Sequence, residues 1–168
     1  MPADVGTGSL VVRSPVGALE LVADDGALVA IRFDAAGPVE EGADVPPVLA
    51  AARRQLAEYF AGERTVFDLP LRPAGTEFRQ RVWRELAAVP WGTTTTYGAL
   101  AARLGLPPGA SRAVGAANGA NPLPVVLPCH RVVGSDGTLT GYAGGLECKA
   151  LLLHLEGVPT EADQAPLF

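Results

Sequence analysis

The chain has 168 residues, of which 48% are hydrophobic and 18% are charged, and its net charge is −5. This composition excludes a disordered chain. The apolar runs are too short for a membrane helix of roughly 20 residues, and the N-terminal residues lack the basic start of a signal peptide. The length fits one compact unit or two small ones, we expect a cytoplasmic protein, and the acidic balance by itself argues against a nucleic-acid partner.

The first part of the chain has the pattern of a small antiparallel sheet followed by a helix. Short β-rich runs lie at residues 10–12, 19–22 and 28–33, and the Asp-Gly pair before the third run is a strong hairpin signal. An acidic loop rich in glycine and proline follows, over residues 34–47.

Apolar residues then recur at helical spacing from Leu49 to Tyr59, with Gly62 as a stop signal. Residues 66–71 have the composition of one more strand, and the prolines around them mark a linker. We therefore expect an N-terminal α/β domain over residues 1–73.

The second part of the chain is mainly helical. Residues 78–89 carry one apolar helical stripe, with Thr76 as a candidate N-cap and Pro90 as a stop. Two shorter helices, residues 97–104 and 111–118, are joined by a tight turn. This pattern fits a helix-turn-helix and also an ordinary helical hairpin, which is the commoner structure for such a pattern, and it leaves both open.

Two β-like runs, residues 125–127 and 132–133, lie on either side of the sequence Pro-Cys-His-Arg. A last helix over residues 146–156 is apolar on most sides, which predicts that it is buried. We expect a C-terminal domain over residues 74–157 and a flexible tail over residues 158–168.

Charge is distributed unevenly along the chain. Residues 77–157 hold seven Lys and Arg against five Asp and Glu, and this is the only region with a positive balance. Any contact with DNA is therefore expected there.

The chain has only two cysteines, Cys129 and Cys148, and two histidines, His130 and His154. This set predicts neither a disulfide framework nor a zinc site, and we expect no metal and no cofactor. A histidine beside a cysteine can promote the reactive thiolate, although neighbouring side chains on a strand point to opposite faces. A reactive pair and a buried structural pair therefore both fit Cys129 and His130.

The segment Val125–Val133, with the sequence VVLPCHRVV, resembles the active-site segment of the O6-alkylguanine-DNA alkyltransferases, or methylated-DNA–protein-cysteine methyltransferases. Strong similarity covers residues 78–157, and the first 75 residues resemble the family only in general layout. Five further blocks resemble family blocks in order and spacing: Tyr97-Gly98-x-Leu100-Ala101, Ser111–Gly115, Asn121-Pro122, Gly141–Leu146 and Leu155–Gly157.

This resemblance implies a ribonuclease H-like N-terminal α/β domain and a mainly helical C-terminal domain with a winged-helix-like helix-turn-helix. It implies direct-reversal repair, in which an alkyl group moves irreversibly from O6-alkylguanine in double-stranded DNA to Cys129. The resemblance leaves O4-alkylthymine open as a second substrate. His130 would activate the thiol through a bridging water, and Glu156 would orient the imidazole. Asn121 would hold the joint that packs the helix-turn-helix against the active-site segment.

The resemblance also implies residues that bind DNA and substrate. Tyr97 would press on a phosphate, and Arg112 would fill the gap left by the flipped guanine. The small residues Ala113 and Gly115 would allow close approach to the minor groove. The substrate or DNA contacts are completed by Arg131, the Val132 backbone, Tyr142 as pocket wall and proton donor, Ala143 and Gly144.

Other functions compete with alkyl transfer. A non-enzymatic lesion-binding protein would keep the DNA-binding parts and lack the cysteine, which is present here. An alkylation-sensing regulator would need another domain, and a thiol hydrolase would need an oxyanion site. We expect a monomer, and the sequence leaves cooperative binding to DNA open.

The last five residues, Gln164–Phe168, resemble the short peptide that bacterial repair proteins dock on the replication sliding clamp. An apolar tail that folds back on the protein would have the same composition. Both interpretations remain open at this point.

Overall fold

The computed structural model describes residues 6–39 and 44–159, and it divides the chain into two units, residues 1–74 and 75–168. Each unit has its own helices and strands and is described separately. Across the two described ranges, no helix combines the length and the apolarity that a membrane span requires.

The first unit contains a three-stranded antiparallel sheet in the order β1–β2–β3. The strands are β1 (Gly8–Val12), β2 (Leu19–Asp24) and β3 (Ala27–Arg32). Asp25 and Gly26 alone connect β2 to β3, and both have positive φ, as a type I′ hairpin turn requires. The predicted sheet and its Asp-Gly hairpin are confirmed.

One helix, α1 (Pro47–Phe60), packs the predicted apolar stripe on this sheet. The strand predicted over residues 66–71 is wrong, because only an isolated bridge at Leu71 pairs with β3. The side chain of Gln55 instead exchanges hydrogen bonds of 2.9 and 2.8 Å with the backbone of Asp68. A side chain thus satisfies backbone groups that a neighbouring strand would otherwise pair.

The second unit begins with helix α2 (Glu77–Ala87), close to the predicted bounds. The hydroxyl of Thr76 accepts a hydrogen bond from the backbone N–H of Arg79 at 3.2 Å, so the predicted N-cap is confirmed. A short strand, β4 (Thr95–Thr96), follows α2.

Two helices after β4 form the helix-turn-helix. They are α3 (Tyr97–Arg103) and α4 (Ser111–Gly119), and a 3₁₀ turn precedes α4. Trp83 of α2 is buried and donates from Nε1 to the carbonyl of Ala117 at 2.8 Å. This bond, together with the apolar contact between α2 and α4, fixes α4 on the rest of the unit.

A parallel pair of short strands joins the start of α3 to the segment that carries Cys129. Strand β5 (Val132–Val133) pairs with β4, and Val133 lies opposite Thr96. The other predicted β-like run, residues 125–127, is wrong, since these residues form turns. Val125 has φ of 74°, a left-handed backbone that a β-branched residue rarely adopts and that no strand contains.

The last helix is α5 (Leu146–Leu155). Its predicted burial on most sides is wrong, because Leu146 and Leu151 are exposed while Lys149 is fully buried. A helix that buries its lysine and exposes leucines has a reason other than hydrophobic burial for placing that lysine inside.

Candidate functional site

Cys129 lies in a 3₁₀ turn between the turns of residues 125–127 and β5, and its side chain is buried. A small cavity of about 10 Å³ adjoins it, close to the volume that one water molecule occupies. Ligand pockets usually measure about 300–1,000 Å³, so this cavity must widen before it can admit a ring. Its walls include Asn118, Asn121, Pro124, Tyr142 and Ala143.

Asn121 fixes the chain that leads to the cysteine. Its Nδ2 donates to the carbonyl of Leu127 at 2.8 Å, and its Oδ1 accepts from the N–H of Leu123 at 2.9 Å. The amide thus takes the place of strand partners inside the turn and stabilises the unusual backbone of Val125. Both hydrogen bonds lie within residues 121–127, so they hold the shape of this segment, and the role of Asn121 in packing the helix-turn-helix stays a prediction.

His130 lies in the same turn, is fully buried, and is paired with Glu156 after the end of α5. The distance from Nε2 to Glu156 Oε2 is 2.7 Å. Because an ionised carboxylate only accepts hydrogen bonds, Nε2 carries the hydrogen and Nδ1 keeps its lone pair. Among the described residues, Nδ1 has no hydrogen-bond partner, so it is the nitrogen that can accept a proton.

Arg131 requires a correction to its predicted contact with DNA or substrate. Its guanidinium is buried and donates to Glu156 from Nε at 2.8 Å and from Nη2 at 2.9 Å, and Nη1 donates to the carbonyl of Val89. This two-bond pairing aligns the Glu156 carboxylate, and hence the imidazole of His130. The side chain of Arg131 therefore acts inside the unit as a positioning residue.

The protonation states of the site follow from burial. Burial raises the pKa of the Cys129 thiol to about 11, against the opposing effects of Asn121 and the Lys149 ammonium. Burial also lowers the pKa of His130, although Glu156 opposes this. At neutral pH the site therefore holds a neutral thiol and a neutral imidazole, and thiolate must form by proton transfer during the reaction.

Lys149 is a site residue that the sequence analysis missed. Its side chain is fully buried, its Nζ donates to the carbonyl of Thr140 at 3.0 Å, and its charge favours the thiolate form of Cys129. Burial lowers the pKa of Lys149 to about 8, so most molecules carry the charge at neutral pH. The sequence signal available was the single lysine of the chain, which lies in a mainly apolar helix.

Tyr97 at the start of α3 is connected to Thr140, which lies in the loop between β5 and α5. The hydroxyls of Tyr97 and Thr140 form a hydrogen bond, and the carbonyl of Thr140 accepts from Lys149. Thr140 thus links Tyr97, a predicted phosphate contact, to Lys149, whose ammonium favours the thiolate form of Cys129.

The other predicted contacts, apart from Val132, lie on or near the surface of the unit. Arg112 and Ala113 are exposed at the start of α4, and Gly115 is half-buried beside the ring of Tyr97. A side chain of one carbon at Gly115 would meet that ring at 3.6 Å, an ordinary contact, whereas a larger one would displace it. Val132 is buried in β5, and Gly144 is half-buried.

Two predictions are not addressed by this geometry. The clamp-binding peptide, Gln164–Phe168, lies outside the described residues. Among the residues that the structure does describe, no three His, Cys, Asp or Glu side chains lie close enough to hold a metal ion together. The absence of a metal and of a cofactor stays a prediction.

Comparisons with known proteins match both units. The family model described as "6-O-methylguanine DNA methyltransferase, DNA binding domain" matches residues 77–158, and the "ribonuclease-like domain" of the same family matches residues 10–73. The predicted fold, a ribonuclease-like α/β domain followed by a helical domain with a helix-turn-helix, is confirmed.

Individual relatives cover most of the chain. A methylated-DNA–protein-cysteine methyltransferase of Mycolicibacterium paratuberculosis is 49% identical over 86% of this chain and 89% of its own length. One from Methanosarcina acetivorans is 45% identical over 88% of this chain and 96% of its own. The crystal structure of Mycobacterium tuberculosis OGT in complex with DNA has a TM-score of 0.78 and 42% identity, covering 91% of this chain and 96% of that one.

Proposed function

The chain belongs to the 6-O-methylguanine DNA methyltransferase family, and from this premise we propose that it repairs DNA by moving an alkyl group from O6 of guanine to Sγ of Cys129. The observation that carries this proposal is the buried arrangement of Cys129, His130 and Glu156 inside the unit that matches the DNA-binding domain. It supplies a nucleophile, a base with a free lone pair and a group that orients the base.

DNA binding precedes the chemistry. The exposed start of α4 presents Arg112 and Ala113, and small residues there permit close approach to the minor groove. Because Cys129 is buried, the damaged nucleotide must leave the helix stack to reach it, which costs a few kcal/mol and costs less for a base that pairs poorly. Arg112 fills the gap that the base leaves.

The loop that carries Tyr142 and Ala143 moves when the base enters. These residues form a wall of the cavity of about 10 Å³, which is far too small for a purine. The glycines on either side, Gly141 and Gly144, leave the backbone of the loop free of bulky side chains.

Transfer itself balances as one displacement. Nδ1 of His130 takes the thiol proton of Cys129, directly or through a water, while the charge of Lys149 stabilises the thiolate. Sγ then bonds to the alkyl carbon, the bond from that carbon to O6 breaks, and the guanine ring takes up one proton, with Tyr142 as donor. The proton that His130 took from the thiol then returns to Tyr142 through solvent, so both side chains regain their starting states. Overall, a thiol and an alkylated guanine become a thioether and a guanine.

The product explains why each molecule reacts once. A thioether forms no thiolate and offers no leaving group that water can displace under mild conditions. The alternative function is a lesion-binding protein without transfer, and the presence of Cys129 beside a base favours transfer over it.

One experiment tests both. The protein is incubated with a duplex that carries one O6-methylguanine, and the methylated peptide is identified by mass spectrometry. We expect the methyl group on Cys129, loss of transfer but retention of DNA binding in Cys129→Ala, and full transfer in the matched Cys148→Ala control. Tight binding of the lesion without methylation would instead support the lesion-binding protein, and a duplex with O4-methylthymine tests the second substrate.

We also propose three properties that the described residues do not address: a monomeric state, a cytoplasmic location and docking of Gln164–Phe168 on the sliding clamp. The peptide is tested by binding of purified clamp to the full chain and to a chain that ends at Asp163. Equal binding by both, or binding by neither, would exclude the tail as a clamp ligand.

A further inference from the structure

The side chain of Asn118 lies in the wall of the cavity beside Cys129. It belongs to the last turn of α4 and is 5% exposed. Its Nδ2 donates, at 3.5 Å, to the carbonyl of Cys129. Since a carbonyl only accepts, this contact assigns the two ends of the amide, with Nδ2 toward Cys129 and Oδ1 away from it.

Oδ1 of Asn118 is a buried acceptor without a hydrogen-bond partner among the described residues. Nearly all buried polar atoms in proteins are paired, and an unpaired one is costly. The position of the amide in the cavity wall therefore indicates an acceptor kept for a group that enters the cavity.

The chemistry of the base identifies that group. In O6-alkylguanine within DNA, N9 is bonded to the sugar, O6 carries the alkyl group, and N1 has no hydrogen. The exocyclic 2-amino group is the one hydrogen-bond donor that remains on the base. An unpaired acceptor in the wall of the pocket complements this donor, and it offers nothing to a base that lacks it.

We propose that Asn118 is a specificity-determining residue whose Oδ1 accepts a hydrogen bond from the 2-amino group of the flipped guanine. This inference rests on the proposed function, since it assumes that the damaged base enters the cavity beside Cys129. The contact favours guanine lesions over lesions of hypoxanthine, which differs from guanine only in lacking the amino group. Sites built to hydrogen-bond a substrate N–H discriminate in this way.

The test compares two lesions and two proteins. Single-turnover rate constants are measured with duplexes that carry O6-methylguanine or O6-methylhypoxanthine, for the unaltered protein and for Asn118→Leu. The guanine-to-hypoxanthine rate ratio of the unaltered protein is divided by that of the variant. This double ratio cancels the different ease with which the two bases leave the duplex.

We expect a double ratio of about ten, the size typical of one buried hydrogen bond. Loss of the Nδ2 contact to the Cys129 carbonyl affects both lesions alike and cancels in this ratio. Asn118→Ala provides the same test if Leu fails to fold. A double ratio near one overturns the inference, and so does equal slowing of both lesions, which would indicate an effect on the thiol or on packing. If the unaltered protein places no methyl group on Cys129 from the guanine lesion, the proposed function falls and this inference falls with it.

Discussion

Replacement of Arg131 by Met tests the most definite difference between the sequence interpretation and the structure. The substitution keeps much of the side-chain volume and removes the guanidinium that makes two hydrogen bonds to Glu156. The Glu156 side chain is 0% exposed. The substitution leaves its charge against uncharged partners that include the imidazole of His130 and, at 3.5 Å, the backbone N–H of Gly92. A buried carboxylate is thereby deprived of its main counter-charge.

The magnitude follows from that burial. Breaking a buried ion pair by removing one partner costs about 3–5 kcal/mol. A domain of 60–100 residues loses about 4–8 °C in Tm for each kcal/mol, so the second unit of Arg131→Met melts at least about 12 °C below the unaltered protein. Alkyl transfer, measured well below this temperature, slows because the His130 ring loses its fixed orientation. Calorimetry and single-turnover kinetics measure the two effects.

The matched control is Arg84→Met, which removes an exposed guanidinium from α2. Its stability changes by less than about 0.5–1 kcal/mol. DNA affinity at several salt concentrations separates the two interpretations of Arg131. A phosphate contact would lower the slope of log K against log salt by about 0.9 when it is removed, and a buried positioning residue leaves that slope unchanged. A normal Tm with a reduced slope in Arg131→Met would refute the reasoning.

Two further outcomes concern the charges around Cys129. Lys149→Met raises the pKa of the Cys129 thiol further, because the ammonium lowers it. We expect about ten-fold slower alkylation by iodoacetamide at neutral pH, where most Lys149 side chains are charged, and an unchanged rate would contradict the electrostatic role. Burial lowers the pKa of His130 below its ordinary value of 6.5, so below this pH the unfolded chain binds a proton that the folded chain does not. The free energy of unfolding therefore falls as pH drops below about 6.5, by up to ~1.4 kcal/mol per pH unit. Urea midpoints at pH 7.5 and 5.5 measure this loss of stability. We expect no such loss in His130→Gln and the full loss in the surface variant His154→Gln. The same loss in both variants would show that other groups cause it.

Features set by neighbouring residues were predictable from the sequence. Asp25 and Gly26 form the hairpin because both adopt positive φ, and Thr76 caps α2 because its hydroxyl reaches an N–H three residues on. The resemblance to the family supplied the fold and the candidate residues Cys129 and His130, which spacing alone left open. These features depend on local geometry or on many matched positions.

Features set by distant contacts were not predictable. The buried positions of Arg131 and Lys149 depend on Glu156, Thr140 and the packing of α5, which no local pattern specifies. The apolar residues 125–127 have strand composition, but the Asn121 side chain takes the hydrogen bonds that a strand would need. A polar side chain that pairs with backbone thus overrides β propensity in this segment.

The stoichiometry of methyl transfer tests the central claim most directly. A fixed amount of protein is incubated to completion with increasing O6-methylguanine duplex, and both repaired guanine and S-methylcysteine are counted by mass spectrometry. The account predicts that both amounts rise together, stop at one equivalent per protein and place every methyl group on Cys129. Repair that continues beyond one equivalent, or repaired guanine without methylated Cys129, would contradict it.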